Sequence, residues 1–501
     1  MTLKLLESKS MNKVLYAEAG VNVVEFLFSI LTYPLGSIIK LLGKNSGLGS
    51  VRLIGPDSTA IGSLTTLYKS VSSLESRHLR TVHCKDMLLN PRNEAAAQCS
   101  ELKINLEPLG PVKFYTCYPV VGCSLSRRYL GTVLGGWRCG ECGYGFNKRV
   151  EVKAEKGSKD GCEGGGVFVT DGAFRFMVTD DLQVMVGSTA ACHSLFQRLG
   201  INDGNKVEQR TLELGEQEVL CLLKFALLSK STLTEAILKI QCSGAQEIIN
   251  FHPKRTPQPD KDARAANTKN MTLKLLESKS MNKVLYAEAG VDVVDFLFSI
   301  LAYPLGSIIK LLGKNSGFGC MDNVFKSAED LGMGGYLKSE ECRNMLLCPK
   351  LAPFHSVGNQ LLQIEEASYS LYYNDSWILV DANKQPEENR RLAVVMNPRS
   401  SQTGVVEAGK GYMKGPGTFM ILNDLTVAPF SPVTSVEVVN EMNVPINDVV
   451  ERVVTIGHDE ALNLLNASLI SKTTLSDVFN RRETGADTRF SIVDGVGGWP
   501  S

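Results

Sequence analysis

The sequence lacks an excess of charge of either sign and lacks an apolar run long enough to span a membrane. Its 501 residues include 53 Lys and Arg and 53 Asp and Glu, so the formal net charge is zero. The most apolar uncharged segment, 26–39, is shorter than the roughly 20 residues of a membrane-spanning helix, and Pro34 interrupts it. We therefore expect no membrane span and no strong attraction of the whole chain to nucleic acid or acidic lipid.

The sequence is also poor in the motifs of common catalytic centres. It has six histidines, and none of them are spaced as metal ligands on one helix face. Neither a G-x-S-x-G nucleophile motif nor an H-E-x-x-H zinc motif occurs. The segment GVVEAGKG at 404–411 resembles a phosphate-binding loop, but Gly411 stands where the magnesium-binding Ser or Thr belongs. We predict no catalytic residue and no nucleotide site.

The start of the chain and its cysteine count both indicate an intracellular location. The first ten residues, MTLKLLESKS, carry Lys4, Glu7 and Lys9 where a secretion signal needs an apolar run. The chain has 13 cysteines, an odd number that suits a reducing compartment better than a disulfide framework. The expectation is a protein of the cytoplasm or nucleus that is not secreted.

The first fifty residues are repeated almost unchanged later in the chain. Residues 1–50 and 271–320 differ at five positions. The similarity then weakens but continues, for instance between CKDMLLNP at 84–91 and CRNMLLCP at 342–349. Similarity over such long segments indicates two homologous domains rather than a solenoid, whose repeats have roughly 20–50 residues.

The repeat sets the predicted domain boundaries. We predict a first domain at 1–250 and a second domain at 271–480. Between them, 251–270 is rich in proline and charge, which is typical of an exposed linker. The Gly-rich end of the chain, 481–501, is predicted to be a flexible tail.

Each domain is predicted to open with a β-hairpin and to continue with helices. Leu3 and Leu5, and then Val14 and Tyr16, alternate with other residues on either side of the turn SKSMN. A later β-rich stretch at 174–186 leads into another helix. Because strands and helices do not alternate as βαβ units, the predicted fold class is α+β.

Several polar residues are placed to cap helices. Asn22, with Glu25 three residues later, is predicted to cap the first helix, and Asp292 and Asp295 replace them in the second copy. Further predictions are caps at Ser188 and Ser431, a helix at 216–228, and a capping box formed by Thr232 and Glu235.

Together the opening KVLYAEAG, the segment MLL-x-P and the late segment LLSKSTLTEAI resemble the plant family named domain of unknown function 674, or DUF674. The resemblance covers both copies and leaves out the linker and the tail. It implies a plant protein in which such domains often occur in tandem. It implies no activity and no catalytic residues.

Four cysteines form the most specific chemical pattern in the chain. Cys117 and Cys123 are followed, after fifteen residues, by Cys139 and Cys142. A Cys-x-x-Cys turn beside glycines is typical of a zinc knuckle, and four thiolates would close the coordination shell of a structural zinc. The corresponding segment of the second copy, 374–396, has no cysteine. We predict a structural Zn²⁺ in a ribbon-like arm at 117–142 of the first domain only.

Two alternatives to zinc stay open at this point. The four cysteines can be unrelated small buried side chains, or they can serve redox chemistry. The resemblance favours the metal, because members of the family often carry a similar cysteine set here.

The cysteine arm also carries basic and aromatic side chains. Such a ribbon can bind single-stranded nucleic acid by charge and stacking, whereas the simpler interpretation is a solvated arm. The residues concerned are Arg127, Arg128, Tyr129, Trp137, Arg138, Tyr144, Lys148 and Arg149.

The leading functional prediction is a non-enzymatic interaction or scaffold protein with a protein partner. It depends on the absence of a repeated catalytic set and on the closed metal shell. A nucleic-acid-binding protein is the first alternative. The second is an enzyme of unrecognised type, built around Asp180 and Asp181 or around a cleft between the domains.

Overall fold

A computed structural model gives the fold of most of the chain. Cys123, the segment 404–410, the predicted linker except Asn270, and the predicted tail lie outside the residues that it describes. The described residues are 1–44, 61–102, 106, 112–117, 128–134, 138–139, 142–154, 167–170, 174–238, 270–313, 316–358, 361–373, 379–381, 391–400 and 411–480. We call the part up to 238 the first half and the part from 270 the second half.

Strands occur in both halves and are numbered in chain order. They are β1 (Thr2–Ser8), β2 (Lys13–Ala19), β3 (Phe114–Cys117), β4 (Arg128–Leu130), β5 (Phe146–Val150), β6 (Val152–Ala154), β7 (Phe176–Thr179), β8 (Val184–Val186), β9 (Val207–Glu213), β10 (Met271–Ser278), β11 (Lys283–Ala289), β12 (Leu371–Tyr373), β13 (Leu379–Asp381), β14 (Arg391–Val395), β15 (Phe419–Leu422), β16 (Val427–Pro429) and β17 (Val449–Ile456).

Helices are also found in both halves. They are α1 (Val21–Ser29), α2 (Leu35–Lys44), α3 (Leu64–Ser73), α4 (Val82–Leu89), α5 (Ala96–Cys99), α6 (Thr189–Arg198), α7 (Glu216–Leu228), α8 (Val291–Ser299), α9 (Leu305–Leu311), α10 (Met321–Met333), α11 (Glu340–Leu347), α12 (Pro432–Glu441), α13 (His458–Ile470) and α14 (Thr474–Phe479). No helix among the described residues is long and apolar enough to cross a membrane.

The predicted hairpin lies inside a five-stranded antiparallel sheet in each half. In the first half the strand order is β8-β7-β2-β1-β9, and in the second it is β16-β15-β11-β10-β17. Leu3 lies opposite Ala19 in the first hairpin, and Leu273 lies opposite Ala289 in the second. All four side chains are buried, as alternation along a strand requires. The structure confirms the hairpin and the α+β fold class.

Local helix signals are mostly confirmed. Helix α7 spans the predicted residues 216–228. Ser188 caps α6 by accepting the N–H of Ala191, and Ser431 caps α12 by accepting the N–H of Thr434. Each hydroxyl thereby satisfies one backbone donor that the first helical turn leaves without a partner.

The predicted cap at Asn22 is wrong, and so is its counterpart at Asp292. The N-cap positions of α1 and α8 are Gly20 and Gly290, and neither helix start has a side-chain cap hydrogen bond. The acid that was predicted to complete the capping box, Glu25 or Asp295, is buried instead. Its carboxylate accepts backbone N–H groups of a loop that is distant in the sequence, instead of those at its own helix start.

Glu25 and Asp295 each hold a returning loop of their own half. Glu25 Oε1 accepts the backbone N–H groups of 168–169 at 2.8 and 3.2 Å. Asp295 Oδ1 accepts those of 412–413 at 2.7 and 2.8 Å. Burial raises the pKa of both carboxyl groups, that of Asp295 to about 6. The two acids therefore anchor equivalent loops.

Helices α3 and α10 each pack against the other half. Helix α3 packs against α8 and β16 of the second half, and α10 packs against α1 and β8 of the first half. The N–H of Val427 donates to Ser70 Oγ at 2.9 Å, and the N–H of Val184 donates to Ser327 Oγ at 2.8 Å. The edge strand of each sheet, β16 or β8, is therefore packed against a helix from the other half.

Two prolines mark the point where the halves cross. The N–H of Leu35 donates to Tyr303 O at 3.1 Å, and the N–H of Leu305 donates to Tyr33 O at the same distance. Pro34 and Pro304 lie opposite each other between these bonds. One cluster of buried apolar side chains runs through both halves. The predicted domain boundaries at 250 and 271 stay a prediction. The structure shows in addition that the two halves are joined at these prolines.

A third sheet combines strands of both halves. Its order is β4-β14-β12-β13-β6, so first-half strands lie at both edges of three second-half strands. The edge strands β4 and β6 run parallel to β14 and β13, respectively. Strands β3 and β5 form a separate antiparallel pair beside β4, to which β3 is joined by mutual bonds between Tyr115 and Gly131. The cysteine arm is thus attached to the second half.

We expect Asp295→Asn to be at least as stable as the parent at about pH 7.5, because the amide oxygen can still accept both N–H groups without a buried charge. The folded-state pKa of about 6 exceeds the usual 3.8, so the parent gains stability as the pH falls from 6 towards 4. Urea unfolding at about pH 7.5 and 5 measures this change as a shift in favour of the parent at the lower pH.

Asp292→Asn is the matched control, because Asp292 is exposed in the first turn of the same helix. It removes the same charge without the burial. If the stability difference between the parent and Asp295→Asn is the same at both pH values, the account of Asp295 is wrong.

Candidate metal centre

Three of the four predicted cysteines come together in the arm. Cys117 ends β3, whereas Cys139 and Cys142 lie on the turn that precedes β5. Their sulfur atoms all lie within 4.8 Å of one another, and Cys117 and Cys139 are buried. Cys123 lies outside the described residues. The four-ligand set therefore stays a prediction, with three of its members in place.

The backbone bonds of Cys139 resemble those of a metal-binding knuckle. The N–H of Cys139 donates to Tyr144 O at 2.8 Å, and the N–H of Gly143 donates to Cys139 O at 2.9 Å. Gly143 has φ +72°, a left-handed conformation that other residues adopt only with strain. This short turn brings the two cysteines of the Cys-x-x-Cys pair to one side.

A β-bulge brings Cys117 to the same point. The pairing of β3 with β5 shifts between Thr116 and Cys117, so Cys117 lies opposite Phe146 rather than opposite Asn147. Phe146 directly follows the knuckle turn, which Arg138 and Gly145 close as a bridge. The end of β3 and the knuckle are therefore neighbours because of the strand register.

The arrangement of the three sulfurs fits zinc. With Zn–S bonds of 2.3 Å and tetrahedral angles, the thiolates of one site are roughly 3.8 Å apart. The three sulfurs lie within 4.8 Å of one another, which is compatible with this spacing. Thiolate ligands favour zinc over the hard cations calcium and magnesium, which prefer oxygen. The residues present could hold Zn²⁺ and need one further donor to close the shell.

The cysteine cluster borders on the second half. Cys117 and Cys139 share a small apolar cluster with Phe146 and with Met396, which directly follows β14. The N–H of Met396 also donates to Leu130 O at 2.8 Å. The cysteine cluster therefore lies where the arm joins the sheet that both halves build.

The basic side chains of the arm are largely on its surface. Arg138, Lys148 and Arg149 are exposed, and Tyr144 is about half exposed at 49%. Tyr129 is half-buried against the cysteine cluster. Among the predicted nucleic-acid residues, Arg127 and Trp137 lie outside the described residues, and Arg128 contributes its backbone to β4. The described part of the arm thus offers a basic surface.

Asp180 and Asp181 hold local and long-range structure. Asp180 is buried and accepts the N–H and the hydroxyl of Thr234 at 2.7 and 2.9 Å. Lys13 Nζ lies 3.4 Å from the same carboxylate. Burial raises the pKa of Asp180. Asp181 accepts from Asn323 of the second half at 3.2 Å. These contacts satisfy both acids without a ligand.

The predicted capping box at Thr232 and Glu235 is wrong. The hydroxyl of Thr232 donates back to Phe225 O at 3.3 Å. The N–H of Thr234, in the turn that follows, donates to the carboxylate of Asp180. In the second half Asn423 has the same role and accepts the N–H of Ser476 at 2.9 Å. A repeated polar residue at a strand end was the sequence signal for this contact.

A buried polar cluster around Tyr412 was not predicted. The hydroxyl of Tyr412 donates to His355 O at 2.9 Å, and the guanidinium of Arg399 lies 5.2 Å from the centre of its ring. Arg399 also donates to Ser356 O at 2.7 Å. Burial lowers the pKa of His355 to about 4, so that the ring is neutral near pH 7. These residues are far apart in the chain, which left no local pattern to read.

Asp180→Ala is expected to cost about 1–3 kcal/mol of unfolding free energy, because it leaves two half-buried donors of Thr234 without this acceptor. Asp203→Ala is the matched control, since Asp203 accepts one N–H, that of Asn205, in an exposed turn. The control should cost less than about 1 kcal/mol in the same urea titration. Equal losses in the two variants would show that Asp180 has no special part in the fold.

One family model matches the chain. Its description is "Protein of unknown function (DUF674)", and the match covers residues 1–459. No curated protein and no solved structure matches the chain. The match confirms the family resemblance seen in the sequence and brings no activity with it.

Proposed function

We propose that this chain, which belongs to the DUF674 family, is an intracellular plant protein without catalytic activity that binds a protein partner. In this proposal two tandem copies of the family domain form the body, and the first copy carries a structural zinc centre. The single observation that supports the zinc centre is the approach of the Cys117, Cys139 and Cys142 sulfurs to within 4.8 Å of one another.

Cys123 is the proposed fourth ligand. It lies between Cys117 and the knuckle in the sequence. Four thiolates would close the zinc shell and leave no position for a reacting water, so the role of the metal would be structural. If zinc binds to the folded arm and not to the unfolded arm, its binding free energy adds to the stability of the arm.

The position of the centre suggests what the metal stabilises. The cysteines hold the end of β3 to the knuckle turn, next to Met396 of the second half. The neighbouring strand β4 is hydrogen-bonded to β14 across the two halves. A rigid arm here would fix the edge of the shared sheet and present its outer surface to a partner.

The outer surface of the arm combines apolar and basic groups. Leu134 and Tyr144 are exposed by 60% and 49%. Lys148 and Arg149 are exposed on the adjacent strand β5. Aromatic and basic side chains on a rigid support are common in protein interfaces, which favours the arm as the binding surface.

Purified protein is expected to contain about one zinc per chain after gel filtration in a reducing, metal-free buffer. Cys139→Ser and Cys142→Ser should each lower the zinc content by about tenfold or more, because a serine hydroxyl is a poor ligand for zinc. Mass spectrometry of the metal content, together with the thermal unfolding midpoint, measures both effects.

Cys221→Ser is the matched control, because Cys221 is a half-buried cysteine of α7 outside the cluster. It should leave the zinc content unchanged. Parent protein with less than roughly a tenth of a zinc per chain would contradict the metal centre and favour the interpretation of the cysteines as buried apolar side chains.

Nucleic-acid binding is the second candidate, and the exposed basic side chains of β5 favour it. Lys148 and Arg149 follow each other on this strand, and the exposed Tyr144 comes two residues before the strand begins. A positive strand beside an aromatic ring can contact phosphates and stack on a base. The zero net charge of the chain places protein binding first.

If the arm binds single strands, Lys148→Ala/Arg149→Ala should weaken binding of a fluorescent oligothymidine by about tenfold and reduce its salt dependence. Fluorescence anisotropy of the full chain measures the affinity. Lys9→Ala/Arg77→Ala removes the same charge from exposed sites outside the arm and is expected to change little. Parent protein that shows no salt-dependent binding excludes this candidate.

A further inference from the structure

The two halves contact each other through a second set of reciprocal bonds, away from the prolines. The N–H of Ser63 donates to Ser468 O at 2.9 Å, and its hydroxyl donates to Ser471 O at 2.7 Å. The hydroxyl of Thr474 donates to Ser63 Oγ at 2.9 Å. The start of α3 is therefore bound to the end of α13 and the start of α14 in the second half.

The opposite contact repeats this pattern. The N–H of Cys320 donates to Ala226 O at 2.8 Å, and its thiol donates to Ser229 O at 3.0 Å. The side chain of Asn323 donates to Asp181 O at 2.8 Å. The start of α10 is thus bound to the end of α7 in the first half, as α3 is bound to α13.

Equivalent glycines allow both contacts. Gly62 and Gly319 have φ +45° and +57°. A Cβ at Gly62 would lie 2.4 Å from Ser468 O, and one at Gly319 would lie 2.3 Å from Ala226 O. Real Cβ atoms do not come this close to a backbone oxygen, so each glycine is required by the other half as well as by its own conformation.

Backbone pairs complete the joint at the two returning loops. Segment 168–170 pairs with 336–338, with bonds of 2.9 Å from Thr170 N–H to Tyr336 O and from Lys338 N–H to Phe168 O. The equivalent loops at 78–80 and 412–414 pair with bonds of 2.9 and 2.8 Å. Glu25 and Asp295 hold these loops from inside their own half.

The buried side chains show what separation would expose. Leu64, Leu67 and Val71 of α3 have no exposed surface, and their helix packs against the other half. The same is true of Met321 and Val324 of α10. Separation would remove these contacts and expose apolar surface on both halves, which is costly in water.

We propose that the chain is an obligate dimer in one polypeptide, in which each half is the binding partner of the other. The surface of each half fits a second copy of the same repeat, because the prolines, glycines and returning loops recur at equivalent positions. The connection through 251–269 raises the effective concentration of the halves but is not required to hold them together. This proposal is independent of the zinc centre and of the proposed partner.

The test uses the full chain with a specific protease site inserted in the segment 251–269. After complete cutting, we expect both fragments to elute together, at the position of the uncut protein of 54.6 kDa plus the insert. The cut protein should unfold in one transition whose midpoint rises with protein concentration, because unfolding now separates two chains. The midpoint of uncut protein should not depend on concentration.

A glycine pair tests the contact itself. In the cut protein, Gly62→Ala should raise the dissociation constant of the fragments by about tenfold or more, because the added Cβ meets Ser468 O. Gly200→Ala is the matched control, since Gly200 has φ +68° with open space around a Cβ. It carries the same backbone strain in the same half and should change the dissociation constant much less.

Separation of the fragments at micromolar concentration, whether they are folded or unfolded, would overturn the proposal. Equal effects of Gly62→Ala and Gly200→Ala on the dissociation constant would overturn it as well. The experiment is repeated with a zinc chelator, and the fragments should stay together there too. Fragments that stay associated after zinc is lost support the contact between the halves. A failure of the zinc proposal can therefore be recognised separately from a failure of this one.

Discussion

The exchange of helices between the halves is the constraint on which the rest of the structure depends. Each chain segment passes the other at Pro34 or Pro304, where two backbone bonds of 3.1 Å join them. It then continues as helices that pack against a helix and the edge strand of the sheet in the other half. Because apolar surface must be buried between layers, each half depends on the other for part of its packing. The common core and the paired returning loops follow from this crossing.

The cysteine arm is the main departure from this symmetry. It belongs to the first half, yet its strand β4 pairs with β14, and its cysteines pack near Met396 of the second half. A single arm can therefore serve the sheet that both halves build.

The sequence predicted elements whose cause is local. Helix α7 and the caps at Ser188 and Ser431 depend on residues within a few positions of one another, and the hairpin depends on the alternation within two neighbouring strands. Cys139 and Cys142 were found for the same reason, whereas Cys117 reaches them only through the strand register. The cap at Asn22 failed because the neighbouring acid, Glu25, bonds to a loop more than a hundred residues away.

The sequence by itself predicted the α+β class and showed both the cysteine pattern and the similarity of residues 1–50 to 271–320, because these depend on spacing along the chain. Only the tertiary structure decided which half each helix packs against. Residues 1–50 and 271–320 are nearly identical, so a helix has almost the same apolar surface to pack on in either half. The crossing at Pro34 and Pro304, and the close approach that Gly62 and Gly319 permit, become visible only once both copies are folded together.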